Sequence, residues 1–175
     1  MDEPTIRRRI DDDLPGCVAA LATVQAADRY PVDWPADPAG WLTPAGLVEA
    51  WVAVDGDEVL GHLALTRPGA ELAATLGLPE RQLLAVARLF VGTAARRRGV
   101  AVRLLDQAVL IAGAEGLTPV LEVEEGAEAA VRLYERARWR HAGTSTADWT
   151  TADGRTARLR AYVAPVEAGL SSRPS

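Results

Sequence analysis

One cysteine, Cys17, two histidines and no lysine stand among the 175 residues of this chain. A lone cysteine excludes an intramolecular disulfide framework and any multi-cysteine metal site. His62 and His141 are far apart, and neither has the HxxxH or HExxH spacing of a metal-binding helix, so no metal is expected. No run approaches the ~18 apolar residues of a membrane span. The opening MDEPTIRRRIDDD lacks the apolar stretch of a signal peptide. These absences lead us to expect a cytoplasmic location and no membrane partner. Excess positive charge is missing too, with a formal net charge of −5. Nucleic acid is therefore not an expected partner, because binding a polyanion relies on a basic surface that releases counterions.

Apolar residues make up 49% of the chain and charged ones 25%, the balance of an ordinary globular domain. One domain over residues 1–165 is expected, followed by a short polar tail at 166–175. TIRRR (5–9) is a candidate edge strand. Asp11–Asp13 precede an Ala-rich apolar run and mark a helix start, with Pro15 in its first turn. YPVDWPADPAGWLTP (30–44) reads as an ordered loop with one helical turn. Two apolar runs, 50–54 and 59–65, flank an Asp-Gly turn and predict a β-hairpin. GAELAATLGLPERQ (69–82) is open between short helix and loop.

LLAVARLFV (83–91) is a buried strand by composition. After it, Leu104, Leu105, Ala108, Val109 and Ala112 fall on one helical face, which Gly113 and Gly116 should end. TPVLEV (118–123) is another strand. Ala127, Ala130, Val131, Tyr134 and Ala137 then repeat at helical spacing. A second hairpin turns at Asp153 and Gly154. Alternating strands and helices of this kind predict an α/β layer.

Between the strand at 83–91 and the following helix lies RRRGVA (96–101). A basic patch, a solvated turn and one side of a phosphate cradle all fit those six letters. Position favours the last. A helix N-terminus offers unpaired N–H groups and a partial positive charge. Gly99 would let the backbone approach an anion closely, the small Ala101 keeps the approach open, and Arg96 and Arg98 can add charge-assisted contacts. A Walker loop and a GxGxxG fingerprint are both absent.

Residues 87–101, ARLFVGTAARRRGVA, resemble the acetyl-CoA-binding motif of the GNAT acyltransferase superfamily. There a central strand leads into Arg or Gln, two residues, Gly, one residue, then Gly or Ala. Arg96, Gly99 and Ala101 occupy those places. EVEEGAEAAVRLYERARW (122–139) resembles the family's next strand and helix. Two departures stand out: Ala127 where the family often has Asn, and Arg138 where it usually has Gly before the aromatic. The resemblance implies a GNAT fold, a mixed central sheet with helices on both faces. It implies acetyl-CoA as cosubstrate and acetyl transfer to a primary amine of a small molecule or a peptide or protein. Homodimers are frequent in the family. A non-catalytic acyl-CoA-binding or regulatory module is the alternative.

From the resemblance, cofactor contacts are expected at Leu89, Phe90 and Val91, with a polarising N–H near Val91. The amides and side chains of Arg96, Arg97, Arg98, Gly99, Val100 and Ala101 would meet the pyrophosphate. Tyr134 matches the family's proton donor to the departing sulfur; read without the family, it is a core aromatic. Glu122 is the candidate base, open against a Glu paired to an arginine, with Glu124, Glu125, Asp148 and His62 behind it. Cys17 reads as a small core residue, and His62 as hydrogen-bonded within the hairpin. Tyr30, Asp33, Trp34 and Trp41 would rim the acceptor pocket and attract a cationic amine through cation–π contacts. Pinning the proline-rich loop is an equally good reading of the tryptophans.

Overall fold

The structure, a computed structural model, describes residues 2–165; the tail expected at 166–175 lies outside them. Seven strands form one mixed sheet in the order β1-β2-β3-β4-β5-β7-β6. They are β1 Thr5–Arg8, β2 Leu47–Asp55, β3 Glu58–Thr66, β4 Leu83–Val91, β5 Thr118–Glu124, β6 Arg140–Thr150 and β7 Thr156–Val163. Both expected hairpins form, β2–β3 and β6–β7, and both are antiparallel. Among the described residues, β4 and β5 are the one neighbouring pair that runs parallel, joined by a helical crossover.

Strand alternation sorts the core between the two faces. Val52 and Val54 of β2 face α1 (Leu14–Asp28), whose Cys17, Leu21 and Val24 are buried. Ala53 between them faces the other layer, where α4 (Val100–Ala114) sets Leu104, Leu105 and Ala108 against Leu63 and Leu65 of β3. Tyr134 of α5 (Glu128–Arg136) joins that second layer. The one-turn α2 (Pro38–Trp41) lies in the proline-rich loop, its first turn capped by Asp37. The ambiguous segment is α3 (Ala70–Leu76), ended by Gly77 at φ 66°. Gly113 lies inside α4 and does not end it; the reversal falls to Gly116 at φ 67°.

Two irregularities of β4 shape everything near it. Its pairing with β5 covers only Leu83–Ala85, opposite Thr118–Val120. Beyond that β4 stays with β3 as far as Val91, while β5 follows β7, so the two parallel strands part. On the β3 side, His62 pairs with Phe90 but Ala64 with Ala87, so β4 carries one extra residue. This bulge holds Arg88 at φ 51°.

The turn after α5 keeps its shape despite Arg138. That residue sits at φ 65°, and the Trp139 N–H returns to the Tyr134 carbonyl at 2.9 Å, closing the helix as a glycine would. The left-handed region crowds a Cβ. Arg138→Gly is therefore expected to raise stability by roughly 0.5–1 kcal/mol, net of the extra freedom glycine brings to the unfolded chain. A denaturant midpoint unmoved or lowered would show that the arginine side chain stabilises the turn itself.

Candidate active site

β4 leads through a short 3-10 turn, Thr93–Ala95, into the N-terminus of α4. Gly99 precedes the helix at φ 70°, and Arg97 is left-handed as well at φ 64°. Among the described residues, the N–H groups of residues 97–102 donate no hydrogen bond. The first bond into the helix comes from Arg103, to the Gly99 carbonyl. Six consecutive amides around one helix end are thus left without an acceptor, a setting that favours an anion. Nothing lies within 4 Å of where a Gly99 Cβ would stand. Space alone would admit a side chain there; the positive φ is what calls for glycine.

The three arginines divide. Arg96 pairs with Asp28 at the end of α1. Arg98 bonds Asp55 Oδ2 at 3.2 Å and the Asp2 carbonyl at 3.3 Å. Both therefore fasten the loop to the body of the protein, where flanking contacts to an anion had been expected of them. Arg97 is exposed and makes no ion pair among the described residues. Val100 turns its side chain into the core, and Ala101 is half-buried.

The parted strands leave β4 with a free edge. Gly92 donates its N–H to Leu60 on the β3 side at 2.8 Å. Successive strand amides alternate in direction, so the Val91 N–H points to the free edge. Leu89 and Val91 pack on the α4 layer, whereas Phe90 is buried against α1 with His62 stacked on it at 5.4 Å.

A cleft of about 630 Å³ opens beside the divergence, lined by Tyr30, Arg67, Glu71, Arg88 and Glu122 among others. Glu122 is half-buried and makes no ion pair among the described residues. Burial first, then the nearby Glu71, lifts its carboxyl above the ordinary range. Tyr134 is buried at 8% exposure between Trp139 and Tyr162. Burial, with Tyr30 second, raises its phenol well above the usual value. Its hydroxyl makes no hydrogen bond among the described residues, yet no fully enclosed side-chain polar atom there lacks a partner. The phenol oxygen therefore keeps an opening out of the core.

Of the expected acceptor rim, only Tyr30 lines this cleft. Asp33 and Trp34 are exposed and stand apart from it. Trp41 pins the loop: the Arg88 guanidinium lies 4.0 Å above its ring, and Tyr30 meets it edge-on at 5.8 Å. Among the other candidate bases, Glu125 is engaged with Arg158 and Arg160, and Asp148 is exposed on β6. Cys17 is fully buried, and burial pushes its thiol up to about 11.

His62 does not bond within its hairpin. Its Nδ1 pairs with the Arg88 carbonyl, and its Nε2 with Arg9, both at 2.9 Å. Arg88 itself was not anticipated. The one clue was a single charge inside the apolar strand LLAVARLFV.

Comparison with known proteins bears on this geometry. The acetyltransferase (GNAT) family model matches residues 18–138. Among curated proteins none matches. Solved structures share the fold. An N-acetyltransferase from Staphylococcus aureus Mu50 aligns with TM-score 0.71 and 19% identity, over 93% of this chain and 98% of that one. Arabidopsis thaliana NAA60 in complex with acetyl-CoA gives 0.68 and 19%, over 91% and 97%. The ribosomal-protein-S18-alanine N-acetyltransferase from Escherichia coli gives 0.66 and 17%, over 95% and 98%. At such identities the likeness is one of fold.

Proposed function

Because this chain belongs to the GNAT acetyltransferase family, with acetyl-CoA as its acetyl donor, we propose that the cleft beside the parted strands seats a primary amine for acetylation. The acceptor class is a small molecule or a peptide N-terminus; one structural neighbour bears the name of a ribosomal-protein alanine N-acetyltransferase. A cytoplasmic setting and a homodimer complete the proposal.

The observation that carries it is the set of six undonated amides at the start of α4, next to the free edge of β4. These residues fit the cosubstrate: amides 97–102 and Arg97 for the pyrophosphate, Leu89–Val91 for the pantetheine. Acetyl-CoA would supply the activated thioester. The Val91 N–H on the free edge would polarise its carbonyl. Glu122 would take the ammonium proton of the acceptor. Its raised carboxyl makes it a better base than an ordinary glutamate, and it must be ionised to act, so activity should fall as pH drops through that raised value. Tyr134 would give its phenolic proton to the departing sulfur.

The test has two parts. Coenzyme A at about 100 times its Kd should stabilise the fold by about 2.7 kcal/mol, read as a rise in Tm. Thiol release from acetyl-CoA should then appear with some member of a panel of amines and peptide N-termini. No rise in Tm at saturating coenzyme A would sink the cradle; binding without turnover for any acceptor would sink the transferase.

A further inference from the structure

We propose that the acceptor is a small ampholyte: an amine placed at Glu122 whose own carboxylate is held by Arg88. The proposal deepens the acetyltransferase reading of this cleft and rests on it.

The cleft wall carries charge of both signs, Arg67 and Arg88 with Glu71 and Glu122, and none of the four is ion-paired among the described residues. Elsewhere arginines find carboxylates readily, as Arg7 does with Asp13 and Arg160 with Glu125. Arg9 and Arg88 are both half-buried without one, and a charge taken from water without a partner is costly. Arg9 spends its donors on the Leu42 carbonyl, Thr43 and His62, whereas Arg88 has only one such bond among the described residues.

Arg88 is held in place. The bulge fixes its backbone at φ 51°, and its carbonyl accepts from the buried His62. Nε donates to the Trp41 carbonyl at 3.0 Å, and the guanidinium carbon lies 4.0 Å from the centre of the Trp41 ring. Both Nη groups are without a hydrogen bond among the described residues. A guanidinium clamped at Nε, with its outer nitrogens free, is preorganised for a carboxylate. Ordering costs that a loose surface arginine would incur on binding are already met by the fold.

The two poles are separate. Arg88 and Tyr30 both pack on the Trp41 ring, while Glu122 stands on β5 beyond the point where it leaves β4, and Glu71 stands on α3. The positive pole therefore lies on the Tyr30 side of the cleft and the negative one on the α3 side. A simple amine would satisfy Glu122 and leave Arg88 uncompensated. A molecule carrying an ammonium and a carboxylate on a short spacer satisfies both.

The experiment compares amino acids and a length series of ω-amino acids with their matched carboxamides, by kcat/KM with acetyl-CoA and by calorimetric binding in the presence of coenzyme A. Carboxylates should be preferred on the order of 10- to 100-fold, the worth of a charge-assisted pair. Arg88→Asn should bring that ratio toward one while the coenzyme A rise in Tm persists; asparagine tolerates the positive φ, so the bulge survives. Equal use of carboxamides by the unaltered protein needs no variant to read and overturns the proposal. So does a stronger preference for peptides or diamines, or an Arg88→Asn protein that loses coenzyme A binding instead. Carboxylate-selective binding without any turnover would uphold the Arg88 site and sink acetyl transfer; absence of both overturns the ampholyte as well.

Discussion

Replacing Tyr134 by phenylalanine should lower kcat roughly 100- to 1000-fold, with the coenzyme A rise in Tm retained and KM for acetyl-CoA little changed. The ring is a packing element, enclosed by Trp139 and Tyr162, and phenylalanine fills the same space. Only the hydroxyl is lost, and it makes no hydrogen bond among the described residues that its removal could orphan. Stability should therefore hardly move. A phenol raised above its ordinary value is a weaker acid, but the comparison that matters is with the thiolate. The burial that disfavours phenolate also disfavours a sulfur anion formed beside it, and Tyr134 arrives at every turnover with its proton in place. Single-turnover thiol release separates this chemical step from product release. A Tyr134→Phe protein within twofold of the unaltered rate would return Tyr134 to the core and leave proton donation to water.

The order of strands and helices could be read from local pattern, since apolar alternation and Asp-Gly turns are properties of a few adjacent residues. Gly99 and the helix after it were legible for the same reason. Arg96 and Arg98 were not: their partners, Asp28 and Asp55, are far away in the chain, and nothing within RRRGVA says which arginine is spoken for. Arg88 shows the limit most clearly. LLAVARLFV is a strand by every local measure, and a regular strand would alternate its side chains without interruption. The extra residue against β3 re-aims that part of β4, and it is specified by tertiary partners: His62 on β3 and Trp41 in the proline-rich loop. Asp33 and Trp34 were expected at the acceptor because they are aromatic or charged in the right loop, yet only Tyr30 of that loop lines the cleft. Composition locates a loop; packing decides which of its residues face inward.

The same buried junction should make the fold acid-labile in a defined window. An arginine can only donate, so Arg9 fixes His62 Nε2 as acceptor and places the ring hydrogen on Nδ1, toward the Arg88 carbonyl. A second proton on His62 would break the Arg9 bond and set a new cation between two guanidinium groups with no water to screen it. Burial chiefly, then Arg9 and Arg88, holds the imidazole down to about 4, from an ordinary 6.5. Between those values the unfolded chain binds a proton that the folded one refuses, so stability present above pH 6.5 is lost as pH falls toward 4. The loss amounts to about 3 kcal/mol, a large share of a typical domain's stability. Two carboxyls border the effect. Asp13, held low by Arg7, adds its own loss only at more acid pH. Glu122, held high, runs the other way: its protonation relieves a burden as pH falls, and Glu122→Gln removes that opposing slope. Urea midpoints taken from pH 7.5 to 4 should therefore decline, and more steeply in Glu122→Gln. A His62→Gln protein, weaker at neutral pH, should show a flatter profile; an unaltered slope would assign the acid lability elsewhere. The junction also ties Arg9 to the Leu42 carbonyl and Thr43, and Arg88 to Trp41. Acid should thus loosen the floor of the cleft along with the fold, and the carboxylate selectivity proposed for it should fade over the same pH interval as stability.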